Sequence, residues 1–410
     1  MKTETKTNPS NPLSPAWTRR LDFFALSAWL ALSLALAGLA WLRGGEDFRV
    51  YYAVGRVLLA GGNPYDFAQL SRSLLEVSGR VDNNPFFYPP WFAWSFTSLA
   101  WLPFQTARLA WMLANLALWL LGLWQLGRIL EWPARGWRRW GMFSFVTFLF
   151  AWITWRYEQS GILLFALLVL ALAALQRERW NLAGLWLALL LVKPNLTLVL
   201  VGAIQLWLIR RGKWKAFLSM CLALLILLAC STALKPDWFR PLLQAGPAGG
   251  LGEVLAGPGQ VVGTRIYTTL GDWLAGFGLS AGWRTSIQAT LTLAAGLCLL
   301  VVVFRSKSLM AVTVSALLAN FAVTPYALQY DFPLLTPALL WAAMLASRSR
   351  VGGVVTALAC LFLASVLIWE RPISDGYWLV VGLVVFQLTV IRLQPGRQKQ
   401  DESPPGAALV

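Results

Sequence analysis

The sequence predicts an all-α, polytopic membrane protein with about 12 transmembrane helices and short juxtamembrane helices on the external side. Two observations support this fold class. Of the 410 residues, 58% are hydrophobic and only 13% are charged, which leaves too little polar surface for a water-soluble protein of this length. The apolar residues also form many runs that approach the ~20 residues needed to cross a bilayer.

The predicted crossings follow these apolar runs in order. They are residues 21–42, 104–130, 140–156, 160–176, 180–193, 195–210, 215–233, 285–304, 309–323, 332–346, 351–369 and 377–392. The first run is longer than a signal-peptide core, which predicts a retained signal anchor. The pair 180–193 and 195–210 has a second interpretation as one kinked helix. Basic residues on both flanks favour a hairpin, because both flanks then lie in the cytoplasm.

The charge distribution predicts the orientation. The net charge is +16, and most of the 34 Lys and Arg residues fall on one predicted side, in short connections and in the two tails, which is typical of cytoplasmic segments rather than of nucleic-acid binding. Both termini are therefore expected in the cytoplasm, with the protein in the plasma membrane. Residues 21–392 form one predicted membrane domain, with long external segments 43–103 and 234–284. The polar tails, residues 1–20 and 393–410, are predicted to be disordered.

The composition excludes several kinds of catalytic and metal-binding sites. There is no histidine, which excludes histidine acid–base catalysis and histidine-containing metal sites. The four cysteines lie within apolar runs without CxxC spacing, which predicts small core residues rather than disulfides or metal ligands. They are Cys221, Cys230, Cys298 and Cys360. The external loops contain no Asp-x-Asp motif, so no divalent metal is expected.

A short helix is predicted directly after the first crossing. From Phe48, apolar residues recur on one face at helical spacing, and Gly61-Gly62 ends the pattern. The helix is too short to span a membrane and is amphipathic, so we expect it to lie in the external interface, with Arg56 at the level of the lipid phosphates. Asp47 stands at its N-cap position. Asp is a preferred N-cap residue, so this position alone does not require a catalytic role.

The segments DFRVYYAVGRVLLAGGNPYD (47–66) and FYPPWFAWSFTSLAWLP (87–103) resemble a known family. The chain is similar to the polyprenol-phosphate-mannose-dependent mannosyltransferases of glycosyltransferase family 87, membrane enzymes of the GT-C type. Three further motifs match in the same order: YEQSG (157–161), LVKPN (191–195) and VTPYALQYDFPLLTPAL (323–339).

The resemblance implies a function. It implies inverting transfer of a sugar, mannose in this family, from a polyprenyl-phosphate donor to a glycolipid or glycan acceptor on the external face, without a metal cofactor. It also implies that membrane lipids, and no nucleic acid, are the partners. The aspartate of the family's first external loop, its proposed base, corresponds to Asp47. The family commonly has a histidine in its late segment, where this chain has Tyr330 and Asp331.

Each remaining candidate residue also has an explanation that requires no role in substrate binding. For the donor phosphate we expect Lys193, Arg265 and Arg56. A lysine that ends an apolar run indicates a functional role. An interfacial Lys193 that extends its ammonium to the headgroups is an equal alternative. For Arg265 the alternative is a solvated loop arginine. The candidates for sugar or acceptor binding are Glu158, Gln159, Tyr330, Asp331, Tyr52 and Tyr88. A tight turn explains the first two as well, and the aromatic belt of the membrane interface explains the tyrosines. A non-catalytic transporter or flippase of lipid-linked sugars is the alternative function.

Overall fold

A computed structural model describes residues 15–44, 47–79, 86–132, 136–238, 240, 269–368 and 377–393. Within these ranges all regular secondary structure is helical, which confirms the predicted all-α class. Arg265 and both predicted disordered tails lie outside them, except for residues 15–20 and 393. Residues 15–20 are helical, so the first helix begins six residues before the predicted crossing.

The helices of the amino-terminal half are α1 (Pro15–Arg43), α2 (Phe48–Leu59), α3 (Phe67–Ser78), α4 (Pro90–Ser95), α5 (Thr97–Ala100), α6 (Phe104–Ile129), α7 (Trp137–Val146), α8 (Trp152–Tyr157) and α9 (Gly161–Gln176). Those that follow are α10 (Trp180–Leu190), α11 (Pro194–Arg210), α12 (Trp214–Leu234), α13 (Leu270–Gly276), α14 (Ala281–Arg305), α15 (Leu309–Val323), α16 (Thr336–Ala346), α17 (Arg350–Ile368) and α18 (Tyr377–Arg392). A π-helical turn, Thr147–Ala151, joins α7 to α8, and a 3₁₀ segment, Gln329–Leu335, precedes α16.

Four of the described helices are long and apolar enough to cross a membrane. They are Ala16–Arg43, Phe104–Ile129, Trp214–Leu234 and Ala281–Arg305. Six shorter apolar helices accompany them. Helix α10 has 11 residues and is therefore only about 16 Å long, which is too short to cross alone. The helices lie where the apolar runs predicted them, but the number of 12 crossings goes beyond what these lengths show. Residues 180–210 form two helices, separated at Leu191–Lys193.

The centre of the molecule is α9, which is apolar on all sides. Most of its residues are buried, as expected for a helix without a polar face. It packs against α6, α10 and the 3₁₀ segment. In contrast, α12 and α14 expose leucine and valine side chains on their outer surfaces. The prediction of core cysteines is wrong for Cys221, Cys230 and Cys298, which are exposed on these two helices, and Cys360 is half-buried. Helices in a bilayer place apolar residues outward as well as inward, so apolar context does not predict burial there.

The segment predicted to be the first external one, residues 43–103, contains a group of short helices that pack onto the start of α6. Helix α2 begins after Asp47 and ends before Gly61, whose φ of +75° favours glycine, as predicted. Its apolar face is buried, and Tyr51 and Tyr52 on other sides are buried too, so protein covers more of α2 than its amphipathic pattern predicts. The close contact of α2 with α5 requires Gly55, since a β-carbon there would collide with the backbone of Phe96.

Candidate active site

Asp47 connects α1 to α2 and directs its carboxylate into the protein. The residue is buried, and its side chain makes no capping hydrogen bond to α2. Instead, Gln159 Nε2 donates to Asp47 Oδ2 over 2.7 Å, and the Asp47 backbone N–H donates to the carbonyl of Tyr157 over 3.4 Å. The capping explanation for an aspartate at this position is therefore not supported by the geometry.

Gln159 links this carboxylate to two phenols. Its Oε1 accepts hydrogen bonds from the Tyr51 hydroxyl at 2.7 Å and the Tyr88 hydroxyl at 3.0 Å, and these hydroxyls lie 2.9 Å apart. The backbone N–H of Ser160 also donates to Oε1, over 3.3 Å. A backbone N–H can only donate, so the amide orientation is fixed and its NH₂ group faces Asp47. The turn before α9 thereby holds one oxygen of the carboxylate.

Glu158 forms a buried ion pair next to this network. It ends α8 in the left-handed conformation, with φ of +56°. Arg108 Nε donates to Glu158 Oε1 over 2.6 Å, while the Arg108 guanidinium stacks on Trp41 at 4.2 Å and donates to the Trp41 carbonyl over 2.8 Å. Burial raises the pKa of the Glu158 carboxyl to about 7, against the opposing effect of Arg108. This pair joins α1, α6 and the turn after α8.

Lys193 and Asp331 form a second buried ion pair. Lys193 lies at the N-cap position of α11, directly before Pro194, and its Nζ is 2.5 Å from Asp331 Oδ1. Lys193 is 6% exposed and Asp331 is fully buried. The other carboxylate oxygen of Asp331 accepts from the backbone N–H of Leu328 at 3.1 Å. Lys193 therefore points into the protein, which does not fit the alternative of an interfacial anchor.

The two halves of the site meet at Tyr88. The Lys193 ammonium lies 5.9 Å from the centre of the Tyr88 ring, whose hydroxyl belongs to the Gln159 network. On another side, the ammonium lies 5.0 Å from the Tyr330 ring, which packs against Tyr157 at 5.7 Å. The fold thus brings a buried carboxylate and a buried ammonium to one aromatic-lined site. The sequence candidates found there are Asp47, Tyr88, Glu158, Gln159, Lys193, Tyr330 and Asp331.

Two described candidates lie elsewhere. The Tyr52 hydroxyl donates to the carbonyl of Leu102 over 2.8 Å, and its ring packs against Phe48 and Phe104. Arg56 is exposed in the last turn of α2, about 13 Å along the helix from Asp47. Neither shares a described contact with the Gln159 network or with Lys193.

Sequence reasoning missed two residues of the site. Tyr51 lies one helical turn after Asp47, and this spacing places both on the same side of α2. Arg108 stands within the first turns of the apolar helix α6, and a charged residue in such a helix requires a partner. The sequence contains both the spacing of Tyr51 and the charge of Arg108, but neither feature identifies the residue that the side chain contacts.

The described residues contain no group of three or more His, Cys, Asp or Glu side chains suited to a metal ion. The carboxylates of Glu158 and Asp331 are instead engaged by cations of the protein itself. Metal-independent transfer stays a prediction from the family resemblance.

Comparison with known proteins identifies the family. The model of glycosyltransferase family 87 matches residues 86–325. This range includes Tyr88, Arg108, the turn at 158–160 and Lys193, whereas Asp47 and Asp331 lie outside it. No curated protein and no solved structure matches the chain. Together with the apolar helices, the match indicates a membrane glycosyltransferase. Because the matched range spans more than half of the sequence, the chain belongs to glycosyltransferase family 87.

Proposed function

We propose that the protein is an inverting glycosyltransferase that moves a sugar from a polyprenyl-phosphate donor to a lipid or glycan acceptor on the external face of the plasma membrane. We propose mannose as the sugar, on the basis of the resemblance of residues 47–66 and 87–103 to the mannosyltransferases of this family. The observation that carries the proposal is the position of Tyr88, which contacts both the Asp47 network and Lys193. A base for the acceptor and a cation for the phosphate then lie on either side of one tyrosine.

Asp47 is the proposed general base. It takes the proton of the acceptor hydroxyl as the new bond forms between the acceptor oxygen and C1 of the sugar. The bond from C1 to the phosphate oxygen breaks, and its electron pair leaves with the phosphate. Gln159 Nε2 donates to one carboxylate oxygen and thereby orients the carboxylate. A fixed, largely buried base needs little reorganisation at the moment of reaction.

Lys193 is the proposed phosphate-binding cation. An ammonium carries three N–H donors, and Asp331 accepts from one of them. The aromatic rings of Tyr88 and Tyr330 cover it on two sides and keep it partly desolvated, where its attraction for an anion is stronger than in water. Asp331 and Glu158 have positioning roles in this proposal, since each holds a cation in place.

A sugar-transfer assay tests the proposal. The full-length protein is reconstituted in liposomes with radiolabelled polyprenyl-phosphate mannose and a total membrane lipid extract as acceptor. We expect label to move into a new product, and no transfer from nucleotide-activated mannose. Movement of the intact lipid donor across the bilayer without any new product would contradict the proposal and support the flippase alternative.

Thiol labelling tests the predicted sidedness. Arg72 on α3 and Arg211 after α11 are both exposed, and the topology places them on opposite sides of the membrane. In a background with all four cysteines replaced by alanine, Arg72→Cys should react with an impermeant maleimide in intact cells. Arg211→Cys should react only after the cells are permeabilised. The reverse pattern would place the site on the cytoplasmic face.

A further inference from the structure

The hydroxyl of Tyr330 differs from those of the other buried tyrosines. Four tyrosines of comparable burial use their hydroxyls within the protein: Tyr51 donates to Gln159, Tyr52 to the Leu102 carbonyl, Tyr65 to the Tyr88 carbonyl and Tyr377 to the Ala322 carbonyl. Tyr330 is 7% exposed, yet its hydroxyl makes no hydrogen bond with any residue that the structure describes. The hydroxyl is not one of the fully buried, unpartnered side-chain oxygens of the described residues, so it is accessible and a ligand can be its partner.

The surrounding contacts fix the position of Tyr330. Thr154 Oγ1 donates to the Tyr330 carbonyl over 2.8 Å. Gly161 lies against the same carbonyl, and a β-carbon there would collide with it. The ring is held between the Lys193 ammonium and the ring of Tyr157. The hydroxyl is thus held in place by interactions that leave its own hydrogen-bonding capacity unused.

The hydroxyl also lies at the junction of the two halves of the site. Asp47, Asp331, Tyr88 and Tyr326 all lie within electrostatic range of Tyr330. These groups belong to both the base side and the cation side of the site. Because its ring also lies 5.0 Å from the Lys193 ammonium, Tyr330 is close to the reacting groups of the proposed function.

On the basis of the proposed function, we propose that the Tyr330 hydroxyl donates a hydrogen bond to the phosphate of the polyprenyl-phosphate donor and strengthens it as the phosphate departs. During transfer, the phosphate gains the electron pair of the bond to C1 and with it one negative charge. Tyr330 keeps its proton throughout and stabilises this charge as a donor. Burial raises the pKa of Tyr330 well above its ordinary value, which keeps the phenol protonated at neutral pH.

The phosphate is a better ligand for this hydroxyl than a sugar hydroxyl is. Asp331, the next residue in the chain, already offsets the charge of Lys193 at 2.5 Å. Lys193 still attracts the phosphate, but Asp331 offsets part of its charge while the leaving group becomes more negative. A neutral donor beside the pair provides the missing stabilisation, as hydrogen-bond donors do for other developing oxyanions.

Tyr330→Phe tests the proposal against Tyr377→Phe as a matched control. Both remove the hydroxyl of a buried tyrosine, but only Tyr377 uses its hydroxyl within the protein, at 2.8 Å from the Ala322 carbonyl. Binding of a short-chain polyprenyl phosphate, without sugar, is measured by titration of the purified proteins in detergent, together with melting temperatures. We expect Tyr330→Phe to weaken binding about 10- to 100-fold, since the lost bond is to a charged group, with an unchanged or higher melting temperature.

Tyr377→Phe should show the opposite pattern, with a lower melting temperature and normal binding. Equal phosphate affinity in Tyr330→Phe and wild type would overturn the phosphate assignment. Loss of affinity only for the intact sugar donor would also overturn it, because the hydroxyl would then bind the sugar. Failure of the wild-type protein to bind polyprenyl phosphate at all would instead contradict the proposed function, so the two failures are distinguishable.

Discussion

Replacing Asp47 with Asn should lower the rate of sugar transfer roughly 10²–10⁴-fold and leave the melting temperature unchanged, as expected for removal of a general base. Asn has nearly the same shape, and its side-chain oxygen can accept the hydrogen bond that Gln159 Nε2 donates to Asp47 Oδ2. Asn is also an equally good residue at the start of a helix. The substitution therefore removes the basic oxygen and keeps the shape of the side chain.

Asp66→Asn is the matched control for this experiment. Asp66 stands at the N-cap of α3, as Asp47 does at the start of α2, but its carboxylate does cap the helix by accepting from the backbone N–H groups of Ala68 and Gln69. Asn preserves such a cap, so we expect Asp66→Asn to keep both stability and transfer. Rates are measured with the liposome assay on protein of matched yield.

Normal turnover in a folded Asp47→Asn protein would remove Asp47 as the base. The carboxylates of Glu158 and Asp331 would then be the next candidates. Each is engaged by a cation, Arg108 and Lys193 respectively, and would have to leave that ion pair to accept a proton. The geometry therefore favours Asp47 over both.

Local features of this site were predictable from the sequence because they depend on neighbouring residues. The apolar spacing after Phe48 and the pair Gly61-Gly62 predicted α2 and its end. The position of Asp47 at the start of that helix followed directly. Likewise, Pro103 before α6 and Pro194 at the start of α11 marked helix boundaries that their restricted geometry explains.

The pairing of charged residues was not predictable, because it depends on how distant helices pack. Lys193 has no acidic neighbour in sequence, and the residue that pairs with it, Asp331, lies 138 residues further along the chain. Glu158 lies in a tight turn as predicted, but its carboxylate lies against Arg108 of α6. Sequence patterns indicated that these side chains need partners, and only the packing of α6, α11 and the 3₁₀ segment selects them.

The predicted count of 12 membrane crossings is not confirmed, and the reason lies in what apolar patterns can show. Apolar composition predicts where helices form but does not distinguish a helix that spans a bilayer from one enclosed by protein. Helix α9 is fully apolar and mostly buried, and α10 is too short to cross alone. Four described helices have the length and composition of membrane spans.

Breaking the buried ion pair should have the largest effect on stability. Lys193→Met leaves the Asp331 carboxylate, which is fully buried, without its cation, and we expect a loss of about 3–5 kcal/mol in the free energy of unfolding. Asp331→Asn should destabilise by a similar amount, because it leaves the ammonium uncompensated. Lys213→Met is the control. Lys213 pairs with Glu178 at 3.9 Å, with side chains 42% and 71% exposed, and such exposed pairs contribute less than about 1 kcal/mol.

The double variant Lys193→Met/Asp331→Asn separates stability from function. It removes both charges together, so the protein should recover most of the stability that either single variant loses, as replaced buried ion pairs do in other proteins. Transfer should not recover, because the phosphate-binding cation is still missing. Chemical denaturation in detergent and the liposome assay, applied to all four members of this mutant cycle, measure the two effects independently. A double variant that is stable and fully active would show that the pair only supports the fold, and the cation for the departing phosphate would then have to be sought elsewhere. A single Lys193→Met variant with wild-type stability would contradict the pairing itself, since an unpaired, fully buried carboxylate cannot be accommodated without cost.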